Sequence, residues 1–284
     1  MILNEQQLNS YHKNGFLIIE NQFSPRETAL LKREMTKIAA IDRPGRILET
    51  NGAVRTVFAP HSCNKVFKTL GQMPQLIEPA QQILKSEVYI HQYKLNTKVA
   101  FSGERWEWHQ DFLYWYKEDS MPEPRALNIV VFLEDVNDFN GPLLVIPGSH
   151  HKGMMDLKPN QSGWKSTLTS DLKYKINKQI LIELVKDSNI FAIKGKAGFV
   201  LLFNCNLFHA SASNLSPWDR FSAFITYNSV ENTLPKIDNP RPNFIASKDF
   251  TPIKKLSDSA LIEAETERLS RNKEKNNHLT LVDI

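Results

Sequence analysis

Apolar positions in the first third of the chain recur with the period of a helix; after about residue 88 most alternate with the period of two that belongs to strands. Residues 5–14 predict a short helix stopped by Asn14-Gly15, and Phe16 to Ile19 a brief buried strand. Ser24-Pro25 then supplies an N-cap and a proline at the first helical position. Leu30, Leu31, Met35 and Ile38 give the helix that follows, about 26–40, one apolar stripe. From Ile41 to Pro60 the pattern is broken, with Pro44-Gly45 and Asn51-Gly52 as turn signals. Two further helices are expected at about 64–71 and 74–85.

From Val88 to Lys98 the parity is clear: Gln92, Lys94, Asn96 and Lys98 share one face, His91, Tyr93 and Leu95 the other. Residues 106–115 are expected to continue as a strand, followed by a strand from Ala126 to Leu133. The turn Asn140-Gly141-Pro142 precedes a strand at 143–146, which Pro147-Gly148-Ser149-His150-His151 breaks. Residues 152–189 are polar and lysine-rich, with an amphipathic piece at 176–186; an insertion of this length between strands is expected to be a lid. Strands resume at 190–193, 199–203 and 220–227, the last with Arg220, Ser222, Phe224 and Thr226 on one face. Ser257 is expected to cap a helix to about 271, and 274–284 to form a polar tail. The whole, 1–284, is expected to be one α+β, mainly β domain. Eight strands in two sheets make a jelly roll, or cupin, whose mouth can hold a metal.

Composition narrows the class. The charge of +4 is mild, and no basic run interleaved with aromatics marks a nucleic-acid surface. No apolar run approaches the length of a membrane helix. Two cysteines, Cys63 and Cys205, argue against a disulfide scaffold and fit a reducing compartment. The opening Met-Ile-Leu-Asn-Glu-Gln-Gln lacks the basic and apolar regions of a signal peptide, so a cytoplasmic location is expected.

The chemistry concentrates in Trp106-Glu-Trp108-His109-Gln110-Asp111-Phe112. On a strand, His109 and Asp111 would face one cavity, and His209 ends another strand-like run far downstream. Two histidines and one carboxylate, with other positions open, form the facial triad of non-haem Fe(II) oxygenases. A lone His-x-Asp pair is more often an ordinary polar contact, so the context decides. His12, His61, His91, His150, His151 and His278 are expected to be non-ligands, and Trp108 and Phe112 to be core.

That context is a resemblance. Trp-x-Trp-His109-Gln-Asp111-Phe, Asn140-Gly-Pro-Leu, Ile146-Pro-Gly-Ser-His150 and His209-x-Ser211 with Asn-x-Ser-Pro217 and Arg220 together resemble the phytanoyl-CoA dioxygenase superfamily. These are Fe(II)/2-oxoglutarate oxygenases on a double-stranded β-helix. Within it, Tyr89-Ile-His-Gln92, Asn96-x-Lys98, Trp115, Glu118-Asp119 and Pro122 resemble the ectoine hydroxylase branch, and more closely bacterial hydroxylases of free leucine of the griselimycin-pathway type. The resemblance implies that His109, Asp111 and His209 bind Fe(II). Arg220 would hold the far carboxylate of 2-oxoglutarate, with Asn96, Trp106, Ser211 and Ser222 completing that pocket. Gln92, Lys94, Trp115, Phe203 and Phe224 would meet the prime substrate. O₂ is the second cosubstrate, and the products implied are succinate, CO₂ and an alcohol. Halogenating relatives carry a small residue where Asp111 stands, so hydroxylation is implied.

Lys94 stands where ectoine hydroxylases usually have Arg, Tyr116 where they have His, and Ser120 where they have Gly. Arg and Lys are not interchangeable toward a carboxylate. The expected substrate is therefore a small free aliphatic amino acid, L-leucine foremost. Ectoine or another small, even carrier-bound, intermediate is the alternative. The rivals are a Zn or Mn cupin doing isomerisation or hydrolysis, which leaves Arg220 unexplained, and a cupin-like protein that keeps its metal site without turnover.

Overall fold

The computed structural model describes residues 1–169, 171–186 and 188–266. Helix α1 (Glu5–Asn14) and helix α2 (Pro25–Ala39) each open on a capping box, Asn4 with Gln7 and Ser24 with Glu27. Strand β1 (Phe16–Ile19) lies between them; α3 (Lys65–Leu70) and α4 (Pro74–Leu84) follow later. Leu30, Leu31, Met35 and Ile38 of α2 are buried together with Leu76, Ile77 and Ala80 of α4, so the helices back one face of the large sheet.

That sheet is antiparallel, seven-stranded and ordered β1-β9-β6-β11-β4-β3-β2. Its strands are β2 (Arg46–Leu48), β3 (Val54–Phe58), β4 (Val88–Lys98), β6 (Ala126–Phe132), β9 (Val200–Asn204) and β11 (Arg220–Ser229), besides β1. The small sheet runs β5-β10-β7-β8, from β5 (Trp106–His109), β10 (His209–Ser211), β7 (Leu143–Val145) and β8 (Phe191–Ile193). Between the sheets Val130, Phe132, Leu143, Val145, Leu201 and Phe203 form a second core. This is the jelly-roll fold that the strand pattern implied.

Three expectations are corrected. Residues 41–60 hold the hairpin β2–β3, which extends the large sheet beside β4. The strand expected over 106–115 ends at His109, and Asp111 opens helix α5 (Asp111–Asp119). A His-x-Asp spacing suits a strand, but it equally suits a strand end followed by a helix start. His91 does not share the face of Tyr93 and Leu95. The β4–β11 register pairs Thr226 with Gln92 and Tyr227 with Ile90, so His91 is the extra residue of a bulge. Its ring lies edge-on to Trp115, with centroids 5.3 Å apart.

The 152–189 segment carries helix α6 (Lys178–Val185) and packs along α5. Lys173 pairs with Glu118 at 2.6 Å, and the Tyr174 hydroxyl donates to the same carboxylate at 2.5 Å. The chain after Asn232 is fixed by Arg241, whose guanidinium donates twice to Asp119, at 2.7 and 2.5 Å. Residues 260–266 are helical after a turn at 258–259, so the helix starts later than Ser257 implied; its expected continuation beyond 266 and the tail lie outside the described residues.

Candidate active site

The site lies where the small sheet meets α5. His109 at the end of β5 pairs in register with His209 at the start of β10. Phe112 N–H, in the first turn of α5, donates to Cys205 O at 3.0 Å, which draws the helix start toward the turn before His209. The result is a buried group: His109, Asp111 and His209 each offer a ligand atom, and these atoms lie within 4.8 Å of one another. No other His, Cys, Asp or Glu group among the described residues gathers this way. His109 Nε2 is 3.7 Å from Asp111 Oδ1, and His209 Nε2 is 3.6 Å from Oδ2.

Each imidazole has a fixed tautomer. His109 Nδ1 lies 2.7 Å from Glu107 O, and His209 Nδ1 lies 3.0 Å from Leu207 O. A carbonyl only accepts, so each Nδ1 carries the proton and each Nε2 turns a lone pair toward the carboxylate. Burial first, and then His209, pulls the His109 pKa down to about 3. Burial also lowers that of His209. For Asp111, burial pushes upward, but Lys94, His209, His109 and a hydrogen bond from Asn128 outweigh it and hold the group below the usual carboxylate range. At neutral pH the set is two neutral imidazoles and one carboxylate, a donor set that suits Fe(II).

Beside this group a cavity is lined by Lys94, Asn96, Trp106, Ser211, Arg220 and Phe224, as well as by the two histidines. Arg220 is buried, and its Nε has no protein partner. A guanidinium nitrogen donates to the Ser222 hydroxyl at 3.4 Å. Burial pulls its pKa down to about 10, so it is still a cation at neutral pH. The Ser211 hydroxyl is likewise buried without a partner. Asn96 Oδ1 accepts from the Thr56 hydroxyl at 2.9 Å, which leaves its amide nitrogen for the cavity. A buried cation and unused donors beside an N,N,O metal group make a seat for a chelating dianion.

Lys98, on the same wall, serves a different purpose. Its Nζ donates to Ala212 O at 2.7 Å and also to Glu104 O. Burial, then Arg220 and Arg55, pull its pKa down to about 6. It clamps two loops together. The Asn140-Gly141 turn belongs to this clamp: Gly141 has φ 74°, and a Cβ there would sit 2.8 Å from Ala212 O.

Of the remaining residues expected at the substrate, none lines this cavity. Gln92 donates to Ile245 O at 2.9 Å and so ties down the C-terminal segment. Trp115 is buried in the cluster under α5. Phe203 lies in the inter-sheet core, with its ring 4.9 Å from that of His209. Phe112, on helix α5, is core, and Trp108 is half-buried against a neighbouring apolar cluster. His150 is structural: its Nε2 donates to His12 O at 3.0 Å. In the same turn the Ser149 hydroxyl accepts from Phe208 N–H at 3.1 Å, one residue before His209.

Sequence reasoning missed three participants. Arg55 of β3 covers the Trp106 indole at 3.9 Å, held by Glu49 at 2.6 Å and Glu104 at 3.1 Å. Gln110 donates to Asn206 O and Gly153 O and accepts from Met155 N–H, so it joins the site to the start of the 152–189 segment. Asn128 donates to Asp111. The first was hidden in a hairpin too short and polar to read, and the others by polar residues that give no periodic signal.

A model of the phytanoyl-CoA dioxygenase (PhyH) family matches residues 11–222. An ectoine dioxygenase of Bordetella bronchiseptica is 40% identical over 272 residues, 92% of this chain and 88% of that protein. An L-proline trans-4-hydroxylase of Streptomyces griseoviridis is 35% identical, over 86% of this chain and 92% of that one. Among solved structures, EctD from S. alaskensis with 2-oxoglutarate and 5-hydroxyectoine superposes with a TM-score of 0.78 at 32% identity, covering 90% of this chain and 87% of that one. The same protein with bound Fe gives a TM-score of 0.76 at 33% identity, covering 89% and 87%.

Fold, donor set and relatives define an iron- and 2-oxoglutarate-dependent dioxygenase. The chain belongs to the phytanoyl-CoA dioxygenase (PhyH) family, in its ectoine hydroxylase-like branch.

Proposed function

We propose that this dioxygenase hydroxylates a small free aliphatic amino acid, L-leucine foremost, at a carbon remote from the α-centre. His109, Asp111 and His209 hold the Fe(II). Arg220 takes the far carboxylate of 2-oxoglutarate, with Asn96, Ser211 and Trp106 around it, while Ser222 supports the guanidinium. When bound, the metal, 2-oxoglutarate and O₂ together supply the oxidant that turns C–H into C–OH, while 2-oxoglutarate is split to succinate and CO₂.

One observation carries the substrate class. Of the other basic residues on the cavity wall, Arg55 is paired with Glu49 and Glu104 and Lys98 is held by two carbonyls, whereas Lys94, 5.3 Å from the centroid of the Phe224 ring, has no hydrogen bond or ion pair among the described residues. Arg220 and Lys94 thus serve two carboxylates, the cosubstrate's and the substrate's. An ammonium is a point charge suited to one carboxylate, and the ring beside it suits an aliphatic chain. A thioester of coenzyme A would need more cations for its phosphates. Gln92, Trp115 and Phe203 act from behind this wall.

A second reading is ectoine, favoured by the 40% identity to an ectoine dioxygenase. One methyl group discriminates by only about 1–3 kcal/mol, so neighbouring amino acids are expected to react more slowly rather than not at all. The test is a mass-spectrometric screen of free amino acids and ectoine with Fe(II), ascorbate and 2-oxoglutarate. A product heavier by one oxygen atom is expected from leucine, with weaker signals from its isomers. Product from ectoine alone would replace the first reading by the second.

A further inference from the structure

Strand β6 is apolar along its length except at Asn128, which is 1% exposed. A primary amide in such a wall is costly unless its bonds are made. Asn128 makes them in two directions. Its Nδ2 donates to Asp111 Oδ2 at 2.8 Å, and its Oδ1 accepts from the Thr226 hydroxyl at 2.7 Å. Thr226, also 1% exposed, is the cross-strand partner of Asn128 on β11. Both partners select the same amide orientation. The flipped amide would turn its carbonyl toward a carboxylate, leaving two acceptors face to face. Asp111 has no other side-chain hydrogen bond among the described residues.

We infer that Thr226 and Asn128 form a relay that fixes the Asp111 carboxylate and thereby sets how tightly the site holds its metal. Both are positioning residues: neither belongs to the group of ligand atoms, and Thr226 acts only through Asn128. The inference rests on reading His109, Asp111 and His209 as the metal site. Partners of this kind typically carry a 10–100-fold share of metal affinity. Here the share depends on a side chain one strand further out, on the far side of Asn128.

The test is anaerobic titration of the metal-free protein with Fe(II), with Co(II) as an air-stable probe. Asn128→Leu, close in volume, is expected to bind metal about 10–100-fold more weakly. Thr226→Val weakens binding in the same direction, and Thr226→Ser, which keeps the hydroxyl, restores it. The double variant Asn128→Leu/Thr226→Val is expected to be no weaker than Asn128→Leu alone, which a merely structural role of Thr226 would not produce. Wild-type affinity in Thr226→Val, or losses that add, overturns the relay. Should Asn128→Leu fail to fold, the Val and Ser variants of Thr226 decide alone. Asp111→Ala is the control. If it keeps wild-type metal affinity, the reading of the site fails; if it loses metal while Thr226→Val does not, only the relay fails.

Discussion

Asp111→Ala is expected to yield no hydroxylated product and no substrate-dependent succinate. The variant removes the anionic member of a three-donor set and leaves two neutral imidazoles. Its loss of metal affinity should exceed the about 10–100-fold typical of residues that act behind a ligand. The metal-free variant should lose some stability, because Lys94, the two histidines and the Asn128 hydrogen bond outweigh burial and favour the Asp111 carboxylate in the fold. Thermal unfolding of metal-free wild type and variant, set beside product analysis, separates loss of function from loss of fold. Product formed by a folded variant at the wild-type rate would remove Asp111 from the site.

Arg220→Lys is expected to raise the KM for 2-oxoglutarate while changing that for the prime substrate little. A charge-assisted pair is worth about 1.5–3 kcal/mol, on the order of ten- to over a hundredfold in affinity. Lysine offers a charge without the fork. Arg220→Met should abolish cosubstrate binding, yet leave the thermal midpoint of the ligand-free protein unchanged or higher. The guanidinium is buried with an unpartnered Nε, so the empty fold bears its desolvation. Steady-state kinetics with each substrate varied in turn reads the first effect. An unchanged KM for 2-oxoglutarate would mean that another group anchors it.

Much of this was legible in the sequence where a period or a cap announces itself. The alternation of 88–98 gives the bounds of β4, and with them the facing of Lys94 and Asn96. The same alternation in 220–226 puts Arg220, Ser222 and Phe224 on one side, as the register bears out. Ser24-Pro25 marks the start of α2. What stayed hidden has physical reasons. β2 and β3 are three and five residues long and mixed in polarity, too short for a period. The bulge at His91 depends on where β11 pairs, which is a property of two strands and not of one. The change from strand to helix between His109 and Asp111 follows from the contact of Phe112 with Cys205, ninety-odd residues away in the chain. Asn128 reads as a blemish in an apolar strand, and only the distance to Asp111 gives it a purpose.

One buried site is expected to hold metal and cosubstrate together, the metal on His109, Asp111 and His209 and the far carboxylate on Arg220. The most direct test is the equilibrium binding of 2-oxoglutarate, without O₂, to the metal-free and the Fe(II)-loaded protein. Two ligands that share a site must tighten each other by the same factor. One 2-oxoglutarate per chain is expected, bound at least about tenfold more tightly with metal than without, a coupling of about 1.4 kcal/mol. An affinity indifferent to metal, or one that survives in Arg220→Met, would contradict it.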